Sequence, residues 1–160
     1  MDVNKANGPD NIPSRVLIEC VQQLAPSLPK LFNFTLSNGC VPTDWKVANV
    51  VPILKSAEKT LADNYRPVSL TSIVVKTLER LIHKHIMDYL TEFQMLRDKQ
   101  HGFRKSKSCV TQLLQLIHDS LTTMDKHGSV DVVFLDFAKA FDKLSHAHLL
   151  YKLEYYGTQG

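Results

Sequence analysis

The sequence predicts an α+β fold on three observations. Two stretches rich in Val and Ile or short enough for a strand, "WKVANVVPILK" (Trp45–Lys55) and "RPVSL" (Arg66–Leu70), flank a polar connection and read as a small hairpin. Several other segments carry apolar residues at helical spacing. Finally, Val130–Asp136 strings Val132, Val133, Phe134 and Leu135 into a near-continuous apolar run, the pattern of a strand buried on both faces.

The elements follow in order. "NKANGPDNIP" (Asn4–Pro13) is dense in Gly, Pro, Asn and Asp and reads as an irregular lead-in. Leu17, Ile18, Val21 and Leu24 predict a helix over Ser14–Leu24, after which Pro26 and Pro29 break the pattern. "KLFNFTLSNG" predicts a short helix stopped by Asn38–Gly39. Pro52 places the first strand at an edge or marks a bulge. Val74, Leu78, Leu81, Ile82 and Ile86 predict a helix over Ser72–Leu90. A loop carries "QHGFRKSKS" (Gln100–Ser108). Ser108 then caps a helix to about Lys126, with Val110, Leu113, Leu114, Ile117, Leu121 and Met124 facing inward and Gly128 ending it. His146–Tyr156 predicts a last helix, closed by Gly157.

Composition narrows the function classes. The chain has 160 residues, 44% of them hydrophobic, enough for one domain with a core. A net charge of +3 is compatible with nucleic acid without demanding it. Arg97, Lys99, Arg104, Lys105 and Lys107 crowd together against Asp98 alone, either as a solvated loop or as a phosphate-contacting one. Cys20, Cys40 and Cys109 have no metal or disulfide spacing and favour a reducing compartment. No apolar run approaches the ~18 residues of a membrane span. Met1–Lys5 lacks the apolar core of a signal peptide. The expectation is an intracellular protein without a membrane segment, nucleus or cytoplasm unresolved.

Three groups of residues could do chemistry. Asp136 stands at the end of a predicted buried strand, where a rigid backbone can present a carboxylate to a cleft. Spacing alone favours the plainer reading, in which Asp136 merely ends a strand and Asp142 caps a turn. Lys55 and Arg66 lie at the two ends of the polar connection, so a hairpin brings them together; a Lys point charge beside an Arg fork suits a polyphosphate, and also suits plain solvent. In "QHGFRKSKS", Gly102 permits an unusual backbone or a close approach, Phe103 can stack or anchor, and the cations suit a nucleic-acid backbone. His83 and His85, like His146 and His148, are two apart on predicted helices and so face different ways, a poor metal arrangement.

In their order, "NKANGPDNIP", "VPTDWKVANVVPILK", "DNYRPVSLTS", "KTLERLIHKHIMDYL", "QHGFRKSKS" and "FLDFAKAFDKLSHAHLLYKL" resemble the N-terminal part of the reverse transcriptase of non-LTR (LINE-type) retrotransposons, over nearly the whole chain. The resemblance implies an RNA-directed DNA polymerase of the right-hand architecture. It implies fingers with palm-contacting helices up to about residue 127, and the start of the palm from about 128 to 160. It implies that Asp136 is a metal-binding aspartate for Mg²⁺ and that Phe137 lends its backbone nearby. Lys55 and Arg66 would grip the triphosphate and Phe141 would lie beneath the nucleotide sugar. Gln100, Gly102, Phe103, Arg104 and Lys105 would run along the nucleic acid. The implied partners are an RNA template, a DNA primer and deoxynucleoside triphosphates.

The family's later palm blocks, with an aspartate pair on a hairpin, have no match here; after Asp142 the only acid is Glu154. The expectation is therefore a partial domain, truncated before the rest of the palm and the thumb. Such a chain would be inert alone, with an uncovered palm strand edge open to self-association. Two other readings remain: a retained nucleic-acid-binding or protein-interaction module, and an Asp136-nucleophile phosphotransferase, disfavoured because Ala138 stands where its second acid belongs.

Overall fold

A computed structural model describes residues 6–55, 58–137 and 139–158. Asn4 and Lys5 of the lead-in, Ser56 and Ala57 of the polar connection, and Ala138 lie outside the described residues. The chain divides into two compact units, Met1–His85 and Ile86–Gly160.

In the first unit the single helix expected over Ser14–Leu24 is two short ones, α1 (Ser14–Glu19) and α2 (Val21–Leu24). Cys20, at φ −97° and ψ 22°, kinks the path between them. Backbone bonds still run across the kink, from Cys20 N–H to the Val16 carbonyl and from Leu24 N–H to the Cys20 carbonyl, both 2.9 Å. α3 (Leu28–Ser37) starts before the expected Lys30, because Pro29 sits in its first turn, where no intrahelical N–H is needed. The expected stop at Asn38–Gly39 is a Schellman closure. Gly39 takes φ 58° and donates to Leu36, while Cys40 donates to Thr35, each at 3.2 Å. Phe32 of α3 is buried and meets Trp45 edge-on, with centroids 6.1 Å apart.

The expected hairpin forms as β1 (Asn49–Leu54) and β2 (Tyr65–Leu70), antiparallel, with Pro52 opposite Pro67. The Lys55 N–H donates to the Asn64 carbonyl at 2.7 Å, which makes every second pair from there inward hydrogen-bonded: Ile53 with Arg66, Val51 with Val68. The two prolines thus share a non-hydrogen-bonded pair, whose N–H groups would point outward in any case. Each outer edge loses its middle donor, which blunts both edges against a third strand.

β2 leads through Thr71 and Ser72 into α4 (Ile73–Glu92), whose start Ser72 caps by accepting the Val74 N–H at 3.2 Å. Ile73, Val75 and Leu78 are buried, as are Ser14, Thr35 and Ser72. Gly8 of the lead-in lies against this junction. A Cβ on Gly8 would come within 2.6 Å of the backbone at Thr71 and Ser72. No side chain fits there.

In the second unit, α5 (Cys109–His127) begins and ends as expected. Ser108 Oγ accepts the Thr111 N–H, Thr111 Oγ1 accepts the Ser108 N–H, and Gly128 closes the helix. α6 (His146–Tyr155) is latched to the end of α4 by the Tyr89 hydroxyl, which donates to the Tyr156 carbonyl at 3.0 Å.

Two expectations in this unit fail. The α5 stripe Val110, Leu113, Leu114, Ile117, Leu121 and Met124 is exposed throughout rather than inward, because no described element covers it. Val130–Asp136 forms no strand, and Val133, Phe134 and Leu135 are 78%, 83% and 86% exposed. A strand exists through its ladder, and no described segment supplies a partner. An apolar run is necessary for a buried strand and not sufficient.

Gly8→Ala is expected to destabilise the first unit by about 1–3 kcal/mol, the usual cost of forcing volume into a filled site. Urea unfolding followed by Trp45 fluorescence checks this; an unchanged midpoint would refute the close approach.

Candidate nucleotide and nucleic-acid site

The hairpin decides where the first two candidates stand. Cross-strand partners share a face and faces alternate along a strand. Ile53 faces Arg66, and Lys55 occupies the next position on that same side, opposite Asn64. Lys55 and Arg66 are thus diagonal neighbours on one face, a relation that spans ~7–8 Å. Both are exposed.

The remaining candidates belong to the second unit. His101, absent from the sequence-based site, is the buried centre of the "QHGFRKSKS" loop, only 9% exposed. Its Nδ1 lies 2.9 Å from Thr111 Oγ1 and its Nε2 lies 3.0 Å from Gln115 Oε1. The Gln115 oxygen can only accept, so Nε2 carries a proton. Around it the loop bonds mostly to itself. The Arg97 carbonyl accepts from the Gln100 N–H at 3.0 Å and from Arg104 Nη1 at 3.1 Å. Gln100 Nε2 turns back to the Gly102 carbonyl at 3.4 Å, and Lys107 Nζ donates to the Asp98 carbonyl. Lys99 pairs with Asp119 of α5 at 2.6 Å, and this hydrogen bond holds the Asp119 carboxyl below its ordinary pKa.

Of the five clustered cations, three are therefore engaged within the chain. Arg97 and Lys105 have no side-chain partner among the described residues. Arg104, expected on nucleic acid, is half-buried, and its first task is to tie the loop to Arg97.

Gly102 does not use the left-handed backbone it was expected to permit; Phe103 does, at φ 56°. A non-glycine residue there stores about 1–2 kcal/mol, which the surrounding bonds must offset. The result is a ring 84% exposed, meeting the 73% exposed Phe141 edge-to-face at 6.3 Å and 87°. Phe141 comes from a turn in which the Asp142 and Lys143 N–H groups both donate to the Lys139 carbonyl at 3.0 Å. The loop and the acidic segment are thus joined through two aromatic rings.

Asp136 and Phe137 are exposed beside this pair in sequence. A groove of about 280 Å³ runs past Lys99, His101, Gln115, Val132, Val133 and Phe134, and Asp136 is not among the described residues that line it. Among the described residues no three His, Cys, Asp or Glu side chains group as a metal site needs. One carboxylate cannot hold a hard divalent cation that takes six or more oxygens.

The comparisons with known proteins bear on all these residues together. Residues 53–160 match the family model described as "Reverse transcriptase (RNA-dependent DNA polymerase)". The chain belongs to the reverse transcriptase family. It is 32% identical over 99% of its length to the "Probable RNA-directed DNA polymerase from transposon BS" of Drosophila melanogaster, of which it spans 18%. It is 31% identical over 95% of its length to the "RNA-directed DNA polymerase from mobile element jockey" of the same species, spanning 17% of it. The jockey polymerase of Drosophila funebris is 33% identical over 92% of the chain and 16% of its own length. The chain thus spans less than a fifth of these curated relatives, and what it matches is the reverse transcriptase domain of non-LTR retrotransposons.

The reverse transcriptase match takes in Arg66, the whole loop, Asp136 and Phe141, and it begins within β1, two residues before Lys55. No helix of the described residues is long and apolar enough to cross a membrane. Sequence reasoning missed His101 because a lone histidine beside a basic cluster carries no periodicity; the Thr111 and Gln115 spacing on one helix face was its only signal.

Asp119 should titrate below an ordinary aspartate, and Lys99→Met should return it towards the ordinary value, read by carboxyl carbon NMR. The sign follows from the lowered pKa: the tether is present above the ordinary carboxylate range and is lost as pH falls through the folded-state value. A midpoint unmoved by Lys99→Met would refute the pairing.

Proposed function

We propose that this chain forms the fingers, to about residue 127, and the opening of the palm, from about 128, of an RNA-directed DNA polymerase that copies an RNA template from a DNA primer. The observation that carries the reading is the shared face of Lys55 and Arg66. Two cations of different shape, side by side and open to solvent, suit the triphosphate of an incoming deoxynucleotide. By the family resemblance Phe141 would lie beneath the nucleotide sugar, while Phe103 with Arg97 and Lys105 offers stacking and charge to a single strand.

The complete enzyme would draw on Mg²⁺, with Asp136 as one carboxylate ligand and Phe137 lending its backbone. The residues described here do not make up such a site, so the chain by itself should be catalytically silent. Primer extension on an RNA template by the purified chain, lost on Asp136→Asn, would overturn that expectation.

A second reading, binding without catalysis, is favoured by the unengaged Arg97 and Lys105 beside an exposed Phe103. It expects single-stranded RNA binding that weakens with salt, each phosphate contact contributing about 0.7 to the logarithmic slope. Lys105→Ala should lower the slope by about that amount. Arg104→Ala should cost more affinity, because it also releases the Arg97 carbonyl. Fluorescence anisotropy over a salt series checks both, and salt-independent or absent binding counts against the reading.

Self-association is assigned to the bare run Val133–Leu135. Leu135→Asp should abolish concentration dependence in sedimentation velocity; an unchanged profile places the contact elsewhere.

A further inference from the structure

We infer that His101 is a positioning residue, which holds Phe103 against Phe141 so that the two rings offer one stacking surface to an unpaired base. The inference rests on the nucleic-acid reading above and names the part of the loop that does the gripping.

Three observations lead to it. His101 is the one buried side chain of a loop whose neighbours Gly102, Phe103 and Lys105 are all exposed. Its two ring nitrogens reach two α5 residues four apart, Thr111 and Gln115, so the imidazole is fixed in both position and rotation. Thr111 also completes the α5 capping box: its hydroxyl accepts the Ser108 N–H at 2.9 Å, and its single proton faces both the Ser108 carbonyl at 2.8 Å and His101 Nδ1 at 2.9 Å. The histidine therefore clamps the start of the loop to the same atoms that close its end.

Between those fixed points lies Phe103. Its left-handed backbone is unfavourable for a bulky residue and persists only when both flanks are held. His101 holds one flank and the Arg104–Arg97 bond holds the other. This conformation carries the ring out of the loop to meet Phe141 edge-to-face. Two rings held so, with Lys105 next in the chain to the clamped Arg104, have the parts of a single-strand stacking platform: π-faces for a base and a cation for its phosphate.

The test compares the whole chain with His101→Ala, Phe103→Ala and the double variant, titrated into a labelled single-stranded RNA. Ring-to-ring NOEs between Phe103 and Phe141 are followed in parallel. Each single variant is expected to weaken binding about tenfold, the order of one lost base stack. The double variant is expected to be no weaker than Phe103→Ala, and the salt slope is expected to stay unchanged in all three. His101→Ala should lose the NOEs while α5 stays helical. His101→Gln, which keeps an N–H within reach of Gln115, should restore part of both signals.

Additive losses, or NOEs that survive His101→Ala, overturn the positioning role. Equal affinity for an abasic strand of the same phosphate count overturns stacking and leaves charge-driven binding standing. If the unaltered chain binds no RNA, the nucleic-acid reading falls and the platform falls with it.

Discussion

The hairpin rests on what two residues cannot do. Neither Pro52 nor Pro67 has an N–H, so they can face each other only where the ladder asks for none. That single restriction fixes which pairs are hydrogen-bonded, and hence which side chains share a face. A slip by one residue would send Arg66 to the other side from Lys55 and turn one of the prolines into the ladder, leaving a hole there. The same prolines remove a donor from each outer edge, so a two-stranded sheet can stand with both edges exposed and still resist a third strand. The placement of two cations and the protection of the sheet have one cause.

The second unit is held differently. Its described residues bury little apolar surface, Leu90 being the one buried hydrophobic side chain among them. What organises it is hydrogen bonding around helix ends: Ser108 with Thr111, His101 with Thr111 and Gln115, and Tyr89 with Tyr156. Each such bond contributes only about 1 kcal/mol net. Their value lies in direction, because bonds fix the orientation of groups that hydrophobic contact would leave free to slide. A loop that must present Phe103 in a strained conformation is better served by directional bonds than by burial.

This difference explains what the sequence disclosed. The helix ends were legible because caps and stops are local chemistry: Ser108, Asn38–Gly39, Gly128 and Gly157 all act within a turn of themselves. The hairpin was legible because β-branched residues flank a polar connection. The kink at Cys20 was not, since no breaker residue marks it. The inward direction of the α5 stripe and the strand at Val130–Asp136 were misread for one reason. Apolar patterning reports which surface asks to be covered, and only a partner segment decides whether it is. For the candidate site, the pairing of Lys55 with Arg66 was readable from the hairpin. The contact between Phe103 and Phe141 was not, because it joins residues far apart in sequence through side chains alone.

The exposed stripe and run also bear on how the polymerase reading fits this fold. Val133, Phe134 and Leu135 precede Asp136, and their patterning is that of a strand covered on both sides. A catalytic carboxylate needs such cover: a rigid ladder fixes its position, and a poorly hydrated cleft strengthens its hold on a cation. With neither ladder nor cover, Asp136 is a solvated carboxylate on a segment free of fixed pairing. The hairpin and the basic loop escape that dependence, since each is closed by bonds within its own unit. The geometry of the hairpin and loop is thus local, whereas a fixed position for the Asp136 carboxylate would need a ladder beside it that the described residues do not form.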